Sequence, residues 1–571
     1  MAKKEYRIFQ TLFAGSFFAF GLFYEYMACI FCGALGFLCA AISMGRKRMA
    51  FYLNLQSLTI VAMAFLYSVA CFYGVDAGMG WIGFFKKLGV LFFLCAAMQA
   101  TEKERESLLG LVPAVGCVMT AAGVFAGLWE PGLAFFYMSG RLGGFFQYPN
   151  VFALFCLIGM IILTGKDWER RKGWLGALQM AVLLAGVFLS GSRTVLAMTL
   201  AVCIIQVFRK RQWRKPLAAM LLLAFTCAGG YVAVSGNVQN VGRFLTVSLQ
   251  SGGFQERVLQ VKDGLGLCLK RPFGLGYLGY YFLEPGVQTG VYSVRFVHNG
   301  ALQMALDIGI IPALLFLYAF GREIFRKGIP FERQLALAVV VAHCLLDFDL
   351  EFPSVWFLLI LLTDCRRGRE INIAAGGKLA FYKILALALS CGSLYAGLAM
   401  LPRHLGRPEL SVRLLPFYTE AGREALIQET DGDRAKELAE GIQRRNRYVA
   451  EAYDVLAAVA HQKRDFRGMA ENKMESVRLR RYYMEGYERC IIMLSQGVEA
   501  ASVQGDAALA RELLEDVAEV GELLRETEER TDPIAYRLTR KPDFTLQEEV
   551  EEYIIQAKRM VNEWRKGENG L

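Results

Sequence analysis

Long apolar runs separated by short polar loops fill the first 401 residues of the chain. Most of them approach the roughly 17–25 residues that a bilayer-spanning helix needs. The pattern therefore predicts an all-α, polytopic membrane bundle of about 12–13 spans. The runs lie near 8–24, 26–44, 51–73, 81–100, 108–128, 149–165, 174–190, 193–208, 216–235, 298–320, 334–349, 352–364 and 378–401.

Two of these runs allow a second interpretation. Residues 334–349 and 352–364 are short and are split by Pro353, so they fit either two spans or one re-entrant hairpin. The two interpretations differ by two membrane crossings, so the parity of the crossings, and with it the side on which later segments lie, is the same in both. The first run ends at "FYEYM" without a small-residue cleavage pattern, which favours a retained span over a cleaved signal peptide.

Composition agrees with a membrane class. The chain is 55% hydrophobic and 13% aromatic, which is more apolar than the average soluble domain. Most of the 14 cysteines lie inside apolar runs, where they serve as small hydrophobic side chains. "ACIFC" has CxxC spacing but is embedded in the second run, so the sequence predicts neither a structural metal nor a cofactor.

Basic residues set the orientation. If "MAKKEYR" is cytoplasmic, the other basic loops fall on the same side, as the positive-inside tendency requires. These loops are "GRKR", "TEKERES", "KDWERRK", "RKRQWRK", "GREIFRKGIPFER" and "CRRGRE". The net charge of +10 is then mostly an orientation signal, and no nucleic-acid partner is expected. The same parity places the loop 236–297 and everything after residue 401 outside the cytoplasmic membrane.

The sequence changes character after the last apolar run. Residues 402–571 are polar and helix-forming, and apolar positions return there at helical spacing. "HQKRDFRGMAE" is typical of a turn between antiparallel helices, with Asp465 near the turn. This predicts a second domain at 402–571 that is helical and tetratricopeptide-like, beside a membrane domain at 1–401, although a period of about 34 residues is not clearly repeated. A generic helical bundle resting on the membrane stays open as the alternative.

Polar motifs gather on the predicted outer side. They comprise "RLGGFFQYPN" at 141–150, "LSGSRT" at 189–194, the long loop, and "HNGALQ" at 298–303. Lys86 and Lys87 lie about two turns below the same surface, within an apolar run. At least one of these lysines must face the bundle interior or reach back to the interface.

Five segments in this order resemble the O-antigen ligase and O-antigen polymerase superfamily of integral-membrane glycosyltransferases. They are "RLGGFFQYPNVFA", "LSGSRTVLA", "ERVLQVKDGLGLCLKRPFGLGY", "HNGALQMALDIGIIPALL" and "HCLLDFDLEFPSVW". The resemblance covers roughly residues 130–365 and implies a GT-C-like fold. It also implies a metal-independent enzyme that moves a glycan from an undecaprenyl diphosphate carrier on the outer face of the cytoplasmic membrane.

The resemblance assigns roles to three residues. Arg193 in "SGSR" and Arg257 in "QERVLQ" would hold the diphosphate, because the guanidinium fork suits phosphate oxygens. His298 would lie closest to the transfer step, as a base for the acceptor hydroxyl or as a phosphate ligand. Each has a structural alternative: an interface-anchored Arg193, a solvated salt bridge at Arg257, and a helix start at His298 with Asn299 as its cap.

Five further residues are candidates for substrate binding. Arg141 would shape or contact the site, and Lys86 and Lys87 would reach the diphosphate. Asp347 and Asp349 in "LLDFDLE" would bind sugar hydroxyls or orient the histidine.

The acceptor stays open: another lipid-linked glycan for a polymerase, or a lipid, wall polymer or protein for a ligase. The tail offers a surface for a protein partner, and membrane lipids surround the spans. Two other functions compete. A transporter or flippase would need paired broken helices and charges near the midplane, and a noncatalytic scaffold would leave the outer arginines and His298 unexplained.

Overall fold

The computed structural model describes residues 1–165, 173–209, 226, 229 and 252–569. The described residues do not include the basic loop "KDWERRK", most of "RKRQWRK", most of the predicted span 216–235 or the first part of the predicted outer loop.

The chain divides into two compact units. The first unit holds Met1–Val69, Ile82–Ser248 and His298–Ala399, and the second holds Ala70–Trp81, Leu249–Val297 and Met400–Leu571. The second unit thus joins residues of the predicted outer loop to the tail. The boundary between a membrane domain and a tail domain at 401/402 stays a prediction.

Helices make up most of the first unit. The helices that lie wholly or mainly in it are Lys3–Phe18, Glu25–Met44, Leu55–Ala70, Ala77–Gln99, Glu102–Leu109, Val112–Ala126, Glu130–Phe136, Pro149–Leu163, Gly173–Ser190, Arg193–Arg209, Gly300–Ile308, Ile310–Ile324, Phe331–Cys344, Pro353–Leu362 and Gly377–His404. Short 3-10 turns lie at Phe20–Leu22, Gly144–Phe146 and Asp349–Glu351. These helices confirm the predicted all-α membrane fold.

Four helices in the described part of the chain are long and apolar enough to cross a membrane. They are Glu25–Met44, Ala77–Gln99, Glu102–Ala126 and Gly377–His404. By contrast, Pro353–Leu362 has 10 residues, all of them buried. At the helical rise it is roughly 15 Å long, about half of a bilayer's hydrocarbon core. This helix cannot cross that core by itself.

The first unit is apolar inside and outside. Phe93 and Phe357 stack at 4.0 Å between ring centroids in its core. On its outer surface Phe65 is 63% exposed, Ile311 76% and Phe381 66%. Large apolar side chains in such numbers on an outer surface suit a lipid environment, because hydrocarbon tails solvate them as well as a protein core does.

Two features of the first unit differ from the predicted runs. Residues Arg48–Leu53 form a strand that pairs antiparallel with Arg369–Ala374, so the third run begins as a strand and becomes helical at Leu55. The run 298–320 is broken at Gly309, whose φ of 104° suits glycine and ends one helix before Ile310 begins the next.

Several of the described loops that the positive-inside tendency assigns to one side contact one another in the first unit. The strand pair joins residues that follow "GRKR" to residues of "CRRGRE". The terminal amine lies 3.5 Å from Glu104, and Arg105 lies 3.4 Å from Asp364. These contacts support a common side for these loops, while the side of the membrane stays a prediction.

The described part of the second unit is entirely helical. Its elements are Gly252–Lys270, Gly279–Val287, Pro408–Leu414, Thr419–Gln428, Gly432–Arg445, Ala450–Gln462, Phe466–Leu479, Met484–Val503, Ala507–Arg530, the 3-10 turn Ala535–Arg537, and Glu548–Asn569.

The predicted turn at "HQKRDFRGMAE" is confirmed. One helix ends at Gln462, and the Asp465 side chain caps the next by accepting the Gly468 amide at 3.0 Å. Short connections fold these helices back on one another. The tetratricopeptide assignment stays a prediction.

Candidate functional site

Arg141 links two of the polar motifs in the first unit. It starts a two-residue strand that pairs with Tyr137–Met138, across a turn in which Gly140 has a φ of 72°. The turn directs the guanidinium toward the "LSGSRT" segment. Its Nε donates to the Ser190 carbonyl at 2.8 Å, and its Nη2 donates to Asn150 Oδ1 at 2.7 Å.

Asp347 is the centre of the same network. Its carboxylate accepts hydrogen bonds from Asn150 Nδ2 at 2.6 Å, from the Tyr148 hydroxyl at 2.8 Å and from the Phe348 amide at 2.9 Å. Its backbone carbonyl accepts from the Gly300 amide at 2.9 Å. Segments that are far apart in sequence are therefore tied together around one buried carboxylate.

His298 lies at the start of the helix Gly300–Ile308, directly before its cap. Asn299 is the cap: its Oδ1 accepts the Leu302 amide at 2.9 Å, as the sequence predicts. The His298 ring packs edge-on against Phe348, with 5.2 Å between the centroids. Because Phe348 follows Asp347, the imidazole lies beside the Asp347 network while keeping part of its surface exposed.

Arg193 begins the helix Arg193–Arg209. It follows a tight turn in which Gly191 has a φ of 59° and the Ser192 amide donates to Ser190 Oγ at 3.2 Å. Arg141 binds the Ser190 carbonyl, and Arg193 lies only three residues further along the chain. The first unit thus brings Arg141, Arg193, His298 and Asp347 into one set of connected loops.

Arg257 belongs to the second unit. It lies on the helix Gly252–Lys270 and is partly buried there. The structure therefore divides the three residues predicted for catalysis, with Arg193 and His298 in one unit and Arg257 in the other.

Lys86 and Lys87 both face the interior of the first unit. Their exposed fractions are 0% and 2%, and their shared partner is Glu351. Lys87 Nζ lies 2.7 Å from Glu351 Oε1 and donates to the Leu350 carbonyl at 3.0 Å, while Lys86 Nζ lies 3.5 Å from Glu351 Oε2. Two buried ammonium groups therefore have a carboxylate partner within the protein.

Two more buried acids have partners that the sequence did not indicate. Asp307 accepts from the Tyr67 hydroxyl at 2.7 Å and from Gln303 Nε2 at 2.8 Å. Asp349 Oδ2 lies 2.6 Å from His343 Nδ1, and both side chains are buried. Asp349 thus pairs with His343 and not with His298.

Glu351→Gln is expected to destabilise the first unit by about 3–5 kcal/mol, because it leaves two buried ammonium groups without their carboxylate. The matched control is Glu370→Gln, an exposed position for which we expect a change within about 0.5 kcal/mol. The measurement is thermal unfolding in detergent. Lys86→Met/Lys87→Met/Glu351→Leu should recover much of the loss, and an unchanged unfolding midpoint for Glu351→Gln would contradict the pairing.

The described part of the chain contains no group of three or more His, Cys, Asp or Glu side chains placed to hold a metal ion. The cations that the described site offers to an anionic ligand are arginine side chains.

One known family matches a segment of the chain that contains part of this site. Residues 178–317 match the family model described as O-antigen ligase. This segment, about a quarter of the chain, is similar to O-antigen ligases. The match confirms the resemblance to the ligase and polymerase superfamily and supports a function of ligase or polymerase type in polysaccharide assembly. No curated protein and no solved structure matches the chain.

The matched segment contains Arg193, Arg257 and His298, whereas Arg141 and Asp347 lie outside it. The structure nevertheless connects both of them to this segment: Arg141 through the Ser190 carbonyl, and Asp347 through the Gly300 amide. The geometry of the matched segment thus depends on residues on both sides of it in sequence. The family implies a lipid-linked glycan donor and a glycan acceptor.

Proposed function

We propose that this protein transfers a glycan from an undecaprenyl diphosphate carrier to an acceptor on the outer face of the cytoplasmic membrane. The observation that carries the proposal is the network in which Arg141, Asn150 and Asp347 connect three loops beside His298 and Arg193. The ligase-family match over residues 178–317, which contain Arg193 and His298, supports it.

The diphosphate leaving group needs compensating positive charge. Arginine supplies a permanent charge and a planar fork that matches two phosphate oxygens. Arg193, at the first turn of its helix, adds its guanidinium to backbone amides that favour anions. We assign Arg193 to the diphosphate, and Arg141 to holding the "LSGSRT" turn in position. Arg257, on a helix of the second unit, stays a separate prediction for phosphate binding.

The transfer step requires a proton acceptor. The acceptor's hydroxyl oxygen forms a bond to the anomeric carbon of the donor sugar, and the bond from that carbon to the diphosphate oxygen breaks. Undecaprenyl diphosphate leaves with the bonding electrons, and the hydroxyl proton moves to the imidazole of His298. The packing of His298 on Phe348 fixes the ring for this role.

The proposed reaction requires the polar loops to lie outside the cytoplasm. A phosphatase reporter fused after residue 571 should be active only if the tail is exported, and the same reporter in the basic loop after Thr101 should be inactive. For both fusions, the measurements are phosphatase activity in fractionated cells and protection of the reporter from added protease. Phosphatase activity at Thr101, or none at the end of the tail, would contradict the orientation.

One observation favours a transporter as the second candidate. Lys87 lies near the middle of Ala77–Gln99, and its ion pair with Glu351 places charge deep inside a helical bundle. A flippase would use such charges to move a lipid-linked saccharide across the membrane.

A deletion strain separates these functions. For a ligase, full-length glycan should remain on the carrier at the outer leaflet, and for a polymerase, single units should still reach the surface. Lipid-linked units trapped at the inner leaflet would instead indicate the flippase. A surface glycan identical to that of the parent strain would overturn the proposed function.

A further inference from the structure

A cavity of about 370 Å³ lies within the second unit. The helix Gly279–Val287 and the residues after it form one part of the wall. Most of the rest comes from the tail, from residues between 448 and 451 and between 479 and 483. Its size falls within the roughly 300–1,000 Å³ of typical small-molecule sites. Nothing in the proposed transfer step uses this cavity.

Aromatic residues make up a third of its lining. Tyrosine accounts for most of them, and tyrosine combines a flat apolar face with a hydroxyl that donates and accepts hydrogen bonds. A pyranose ring has the matching surface: a face of C–H groups and a rim of hydroxyls. The aromatic lining residues are Tyr281, Phe282, Tyr292, Tyr448, Tyr482 and Tyr483.

Two arginines in the lining are held in place by neighbouring groups. Arg423 donates to the Tyr281 hydroxyl at 2.6 Å and lies 3.3 Å from Glu451. Arg480 pairs with Asp454 and lies over the Tyr483 ring, 5.0 Å from its centroid. Fixed donors of this kind set the orientation of a bound ligand at little cost in side-chain entropy.

The charges of the lining favour a ligand with an acidic group. Glu284 is 1% exposed, and this burial, together with the nearby Asp263, raises its pKa to about 9. Glu284 is therefore protonated at neutral pH and adds no negative charge. Arg540, exposed at the edge of the same lining, then contributes a further positive charge beyond the paired Arg423 and Arg480.

We propose that this cavity binds an acidic saccharide segment of the glycan that the protein transfers or extends, an inference that rests on the proposed function. A peptide fits less well. A peptide that binds by extending a sheet needs a strand edge, and the described residues of the second unit contain no strand. The rings here share the lining with arginine and glutamate side chains.

The test uses the full chain in nanodiscs. The probe is a tetrasaccharide fraction from partial acid hydrolysis of the source cell's own surface polysaccharide, in native and carboxyl-reduced form. Tyr483→Ala/Arg540→Ala changes two exposed lining residues, so the fold should survive. Tyr536→Ala/Arg537→Ala is the matched control, because both positions are exposed in the same unit and lie outside the lining.

Calorimetry should show native tetrasaccharide binding that weakens at least about tenfold in the lining variant, a ratio that corresponds to 1.4 kcal/mol. The control should bind like wild type, and the carboxyl-reduced probe should bind more weakly. Equal binding by both double variants, no binding by wild type, or binding of casein-derived peptides in place of saccharide would overturn the proposal. Equal affinity for the native and the carboxyl-reduced probe would overturn the claim that the cavity selects an acidic saccharide.

The two proposals fail in different ways. Saccharide binding without transfer from a lipid-linked donor would contradict the proposed function and leave the cavity assignment standing. Transfer by wild type with saccharide binding unaffected in the lining variant would contradict the cavity assignment alone.

Discussion

Arg193→Ala and Arg257→Ala are each expected to lower glycan transfer at least about 100-fold, the usual cost of removing a group that stabilises developing charge. Arg193 begins its helix beside the turn that Arg141 holds, and the N-terminus of a helix favours a bound anion. Lysine at either position should restore only part of the rate, because it supplies charge without the two-pronged fork. The measurement is release of undecaprenyl diphosphate by purified variants.

Arg322→Ala is the matched control for these variants. Arg322 is exposed near the end of Ile310–Ile324 and belongs to a predicted cytoplasmic loop, so its loss should leave transfer unchanged. Expression and the unfolding midpoint should match wild type in every variant. Normal transfer by Arg193→Ala and Arg257→Ala would show that these arginines act as interface anchors or surface ion pairs.

His298→Ala is expected to slow transfer by about 10²–10⁴-fold, the range that general-base assistance typically supplies. Carrier binding should survive, because the arginines that hold the diphosphate remain. His298→Gln should not restore the rate, since an amide cannot accept the proton. The wild-type rate should rise with pH across the range in which histidine titrates, about pH 5–8.

Phe348→Leu provides the related test of position. It removes the ring against which His298 packs while leaving the imidazole in place. The rate should fall without a change in the pH dependence. A His298→Ala variant that loses binding and rate together, or a wild-type rate independent of pH, would instead assign His298 to phosphate binding or to structure.

Local signals in the sequence predicted the parts of the fold that depend on neighbouring residues. Asn299 before an apolar run predicts a helix cap, and Asp465 in a polar break predicts a helical turn; both are present. The motif loops were expected on one side from charge and parity alone. In the first unit, hydrogen bonds among residues 141–150, Ser190 and Asp347 connect these motif loops to one another.

Contacts between distant residues could not be read from one sequence. Glu351 lies 264 residues after Lys87, and nothing local marks it as the partner of two lysines. The sequence does not predict the strand pair at Arg48–Leu53 and Arg369–Ala374, because the first strand leads into an apolar run and the second lies in a loop between two runs. Likewise, the pairing of His343 with Asp349 depends on a 3-10 turn that only the folded structure shows.

The central claim is most directly tested by transfer in a purified system. The full chain, reconstituted in liposomes with an undecaprenyl-diphosphate-linked glycan and its acceptor, should release undecaprenyl diphosphate and form a longer or newly attached glycan. Wild type should do so, and His298→Ala and Arg193→Ala should do so far more slowly. Mass spectrometry of the lipid and glycan products measures both. An unchanged donor in the presence of folded wild-type protein, or equal rates in all three proteins, would contradict the account.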